Sequence, residues 1–187
     1  MQENNKIFST HFSIHYTFID ETHETELKIL VNNNNILAFS QNDQTFTTRW
    51  NLDEIILWLR QFIDNLAEDP YPVSVEGEYA SIKDIKAREF DTDDDELFDA
   101  YYDKLDEWNL RHRWHTSSQG AILADLYFQL NGDFIEISWN NQDAESGILF
   151  ENIIGGVSIP KELFVNEINS FLIAYCDHWF PDNSQFH

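Results

Sequence analysis

The chain has 187 residues, 42% of them hydrophobic, with 15 Phe, seven Tyr and six Trp, enough apolar material for a real, aromatic-rich core. Its formal charge is -23, from 11 Lys and Arg against 34 Asp and Glu. Such a surface repels phosphate backbones and anionic lipid, which argues against direct nucleic-acid or membrane binding and favours a protein partner with a basic face.

The hydrophobic content separates this chain from disordered acidic sequences. The single cysteine, Cys176, rules out an internal disulfide and reads as a buried structural thiol in a helix. The first ten residues lack the pattern of a signal peptide, and no apolar run approaches the roughly 20 residues of a membrane span, so a cytoplasmic location is expected.

Residues 7–20 alternate, with Phe12, Ile14, Tyr16 and Phe18 on one face and His11 and His15 on the polar face, as in a half-buried strand. Further strands are expected at 24–31, 36–40 and 45–50, with turns at the Asn32 run and at Asn42-Asp43, giving an antiparallel meander. A helix follows over 51–67. Asn51 and Glu54 have capping-box spacing, and Ile55, Leu59, Phe62, Ile63 and Leu66 form an apolar stripe. Asp69-Pro70 stops it, and 73–75 reads as a short extended piece.

The next segment is strongly acidic. Asp91, Asp93, Asp94, Asp95, Asp99 and Asp103 surround a predicted helix over 94–109, whose apolar stripe would be Leu97, Tyr101, Leu105 and Trp108. It reads as a solvated face or as a docking surface for a basic partner, phosphate mimicry being one form of the second. A calcium loop starting at Asp91 would lack the Gly at its sixth position and the Glu at its twelfth. Arg111, His112, Arg113, Trp114 and His115 then interrupt the acidity. Arg111 and Arg113 read as an internal salt-bridge network or, with Trp114, as part of the partner-binding surface. His112 and His115 are three apart, and a zinc site would need further ligands.

After Gly120 the stretch 121–130 alternates, Asn131-Gly132 signals a hairpin, and 134–139 returns. A polar loop at 140–146, a strand at 147–153 and a turn at Gly155-Gly156 are expected next. Pro160 suits the first position of a last helix over 160–178, carrying Leu163, Phe164, Ile168, Phe171, Leu172 and Tyr175. No H-E-x-x-H, G-x-S-x-G or nucleotide-loop pattern occurs, so no catalytic residue, metal or cofactor is expected.

These readings add up to an α+β fold. It has an antiparallel sheet, formed by an N-terminal meander and a later hairpin, packed with about three helices in one domain over 1–187, with possible sub-parts 1–75 and 76–187. The function expected is a non-enzymatic, acidic protein-interaction module. The alternatives are an immunity or anti-nuclease inhibitor using the acidic helix as a phosphate mimic, and a metal-dependent enzyme using His112 and His115.

One broader pattern runs from strands ending in Trp50, through Trp58-Leu59, an Asp-Pro stop and a Trp/His segment ending in Gly120. It continues through Phe128, Gly132, Ile135 and Ile137 to a V-x-I-P motif, Phe164 and a final helix. This pattern resembles the non-catalytic N-terminal region of long bacterial ImmA/IrrE-type metallopeptidases. In that family the zinc-binding motif lies in the following domain, so no catalytic residue carries over. The resemblance implies an accessory module, a regulator or sensor near bacterial stress, toxin–antitoxin or phage-defence systems.

Overall fold

The computed structural model describes residues 8–66, 68–117, 120–142 and 147–181. In chain order the elements are β1 (Phe12–Ile19), β2 (Glu24–Val31), β3 (Asn34–Asn35), β4 (Phe39–Gln41), β5 (Gln44–Phe46), β6 (Thr48–Trp50), α1 (Asp53–Asp64), α2 (Ala80–Ala87), α3 (Asp95–His112), β7 (Leu126–Asn131), β8 (Phe134–Asn140), β9 (Leu149–Phe150), β10 (Ile154–Pro160) and α4 (Lys161–Trp179). The fold is α+β with antiparallel sheets. Part of the polar loop expected at 140–146 lies outside the described residues.

β1 and β2 pair along their whole length, Phe12 opposite Val31 and Ile19 opposite Glu24. In β2 the residues Thr25, Leu27, Ile29 and Val31 are buried and their neighbours are not, so period two places one face in the core. Asn32 and Asn33 both take positive φ and reverse the chain into β3, as Asn does at low cost. The expected meander ends there. Ile36, Leu37, Ala38 and Phe39 are all buried, a continuous apolar run rather than an alternation, and such a run cannot extend a half-exposed meander. It leads into β4, which pairs with β5 through a positive-φ Asn42-Asp43 turn and with the distant β9. β6 then returns to β2. Strands from 1–75 and 76–187 therefore share a sheet, and the main core draws on both stretches.

The sheet β10-β8-β7 is covered on both faces. Leu126, Phe128, Ile135, Ile137, Val157 and Ile159 join the core with α1 and α4, Phe128 lying against Trp58 and Phe164. The opposite face meets α2, a helix the sequence reading did not anticipate. Its first amides are satisfied from β8: the Ala80 N–H donates to Glu136 Oε1 at 2.8 Å and the Ser81 N–H to Ser138 Oγ at 3.2 Å. No residue of the local sequence supplies that cap, so the usual start signal is absent.

Several boundaries shift for identifiable reasons. Asn51 accepts from the Asp53 N–H at 2.9 Å, but Glu54 does not close a capping box, because its carboxylate binds Thr116 and Ser117 instead. The 73–75 piece and most of 147–153 form no strand beyond β9. Gly155-Gly156 is not a turn but the start of β10, opposite Trp139 and Ser138. A Cβ at Gly156 would lie 2.5 Å from the buried Tyr79 ring, and one at Gly155 2.9 Å from Trp139. The glycines are there because aromatic rings occupy the space on either side of the strand.

Candidate functional site

The acidic segment forms α3 as its composition predicts. The Asp94 side chain accepts from the Leu97 N–H at 3.1 Å, and Asp95 and Glu96 sit in the first turn, where carboxylates offset the helix dipole. The expected apolar stripe divides. Leu105 and Trp108 are buried and Tyr101 stacks on Phe90, but Leu97 is 52% exposed and its neighbour Phe98 37%. Asp91, Asp93, Asp94, Asp95, Asp99 and Asp103 are all exposed. The first turns of α3 thus present carboxylates interspersed with two uncovered apolar side chains.

The second half of α3 is fastened to the body. Arg111 Nη2 donates to Asp69 at 2.8 Å and Nη1 to Glu107 at 3.1 Å. Burial alone would raise the Asp69 carboxyl, but hydrogen bonds from Arg111 and His112 outweigh it and hold it below its ordinary value. His112 is buried and stacked on Trp108, with Nδ1 2.8 Å from the Phe128 carbonyl and Nε2 3.0 Å from Asp69. His115, by contrast, is exposed. The two histidines do not converge, and among the described residues no three His, Cys, Asp or Glu side chains gather as a metal ion would need. Arg113 pairs with Asp125, and Trp114 is 3% exposed with its Nε1–H given to the Ala124 carbonyl. Trp114 is core and Arg113 is half-buried with its Nε on Asp125, so neither joins the acids in one surface, whereas Arg111 is exposed and ion-paired to Asp69 and Glu107.

A buried polar cluster lies beneath α3, assembled largely from residues that no local sequence pattern joins. Asp84, 4% exposed, accepts from four donors: Tyr71 Oη and Asn109 Nδ2 on Oδ1, and Arg88 Nε and Tyr127 Oη on Oδ2. Burial pushes its carboxyl up, and the bonds from Asn109 and Arg88 more than reverse that, leaving it lowered. Asp125 goes the other way: burial raises it and Arg113 only partly compensates. The Tyr127 hydroxyl, desolvated and facing both carboxylates, is pushed well above its ordinary value. Asp84, Arg88, Arg113, Asp125 and Tyr127 border a cavity of about 480 Å³ that is also lined by Ile122, Ile148 and Phe150. In the sequence only the Asp84–Arg88 spacing of four hints at this cluster.

No family model matches the chain, and no curated protein or solved structure is significantly similar to it. Among the described residues, no helix is long and apolar enough to cross a membrane.

Proposed function

We propose that the protein is a non-enzymatic interaction module that docks a basic partner protein on the first turns of α3. The observation that carries this reading is the exposure of Leu97 and Phe98 amid Asp93, Asp94, Asp95, Asp99 and Asp103. Carboxylates steer a positive surface and set its orientation, while the partner's burial of the two apolar side chains supplies affinity that salt does not screen. The anchoring of Leu105, Trp108 and His112 keeps the helix formed before any partner arrives, so little ordering cost remains.

The exposed apolar pair favours this reading over a pure phosphate mimic, which needs charge alone. The wider setting, a regulator or sensor in a bacterial stress, toxin or defence system, rests on the resemblance described above, and a cytoplasmic location rests on the sequence patterns alone.

The test compares three proteins as affinity baits in bacterial lysate. These are the unaltered chain, a variant with Asp93, Asp94, Asp95, Asp99 and Asp103 changed to Asn, and the double variant Leu97→Ser/Phe98→Ser. Asn at 94 still caps the helix, so circular dichroism should be unchanged in all three. The expected result is a basic protein retained by the unaltered chain, held more weakly as salt rises, and lost from both variants. Retention that survives either set of changes overturns the reading. Inhibition of a basic nuclease by the purified chain, abolished by the Asn variant but not by the Ser pair, would establish phosphate mimicry instead.

A further inference from the structure

We infer that the cavity between α2, β7 and β9 is a binding site for a small amphipathic monocarboxylate. The inference is independent of the α3 docking surface, since it concerns a different face of different residues. The cavity, at about 480 Å³, falls in the range of small-molecule sites. Its lining is mixed in chemistry. Ile122, Ile148 and Phe150 contribute apolar surface, and Arg88 and Arg113 are among its polar lining, with the Arg113 guanidinium 5.6 Å over the Tyr127 ring.

In a chain with only 11 Lys and Arg against 34 acids, two arginines bordering one cavity need a reason. Both are fixed from behind. Arg88 donates through Nε to Asp84 at 2.9 Å, and Arg113 through Nε to Asp125. Among the described residues, no acceptor takes a hydrogen bond from the terminal nitrogens of Arg113. Arg88 uses Nη2 alone, in a 3.6 Å ion pair with the exposed Asp106. Two pre-oriented forks with unspent donors match the planar geometry of a carboxylate.

The carboxylates behind them select the charge of the ligand. Asp84 already accepts four hydrogen bonds, and Asp125 holds Arg113 on one oxygen with the Tyr127 hydroxyl 3.4 Å from the other, so both carboxylates are engaged before a cation arrives. Asp84 and Asp125 together offset the two guanidiniums, and the whole chain stands at -23, so a dianion such as a phosphate monoester is repelled more strongly than a monoanion. Ile122, Ile148 and Phe150 then suit a hydrocarbon or aromatic body on the ligand.

The probe is octanoate, titrated into the isotope-labelled protein at neutral pH and low salt, with octanol and octylamine as matched controls. Octanoate is expected to give saturable amide shifts in α2, β7 and β9 with a dissociation constant below about 1 mM, with octanol about tenfold weaker and octylamine without effect there. Arg113→Gln and Arg88→Gln should each weaken octanoate by about tenfold. Equal binding of octanoate and octylamine, or no saturable shift at these residues, overturns the inference using the unaltered protein alone. A response to phenyl phosphate stronger than to octanoate would equally overturn it.

Discussion

Replacing Asp84 by Ala tests whether the region beneath α3 is held by hydrogen bonds or by charge. The substitution removes the acceptor for Asn109 Nδ2 and Tyr127 Oη, both on buried residues. A buried donor left without a partner costs about 1–3 kcal/mol. Tyr127 recovers part of its loss by turning to Asp125 Oδ2, 3.4 Å away, and Tyr71 is only half-buried. Asn109 recovers nothing obvious, since its Oδ1 is already buried without a partner. The sum is about 3 kcal/mol, which for a chain of this size lowers the Tm by roughly 6–12 °C. Arg88→Met removes the ion-pair partner of the same carboxylate; Arg88 is 41% exposed, which screens the pair, but Asp84 is buried and keeps its other three donors, so the loss is about 1–2 kcal/mol. Urea unfolding of both variants, read as a shift in midpoint at constant slope, gives the comparison. A loss below about 1 kcal/mol for Asp84→Ala, or an equal loss for Arg88→Met, would refute the account of which bonds matter.

Other consequences are as direct. Gly156→Ala places a methyl 2.5 Å from the buried Tyr79 ring and should cost about 1–3 kcal/mol by thermal unfolding, whereas Gly132→Ala, at φ +59 with open space around it, should cost about 1 kcal/mol through backbone strain alone. Glu54, held by Thr116 and Ser117 hydroxyls and the Ser117 amide, titrates at about 2 rather than 4.5. Because the folded value is the lower one, its contribution is complete above 4.5 and disappears as pH falls to about 2. A carboxyl-carbon NMR titration with a midpoint near 4.5 would contradict it. Tyr71, Tyr127 and Tyr175 are all raised above 10.0, chiefly by burial. Their stabilisation is therefore whole below that value and is lost as pH rises beyond it. Ultraviolet titration should find these three silent until the protein unfolds in alkali.

Local periodicity made most of this fold readable. β2, α1, α3 and α4 follow from alternation or helical spacing, because each buries one face and exposes the other, while β1 forms where alternation predicts it but buries only Phe12 and leaves Tyr16 exposed. What escaped was decided by residues far away in the chain. α2 has its cap on β8, Gly155 and Gly156 need Trp139 and Tyr79 to explain them, and the apolar run at 36–39 belongs beside β9. The acids of α3 were legible as a set, but which side chains lie uncovered among them was not, since Leu97 and Leu105 share one stripe and differ only in what packs above it. Asp84 and its donors come from five positions in the chain, and beyond the i, i+4 spacing of Asp84 and Arg88 no spacing rule joins them.

The pairing of β4 with β9 has a bearing on how the protein is made. During synthesis the run at 36–39 emerges well before its edge partner at Leu149–Phe150, which lies far downstream in the chain. Through that interval the nascent polypeptide carries an open, greasy edge with no companion, the condition under which chains stick to one another. Slow translation or heat should therefore harm yield far more than it harms the finished molecule, and a chaperone that shields extended apolar segments should restore it.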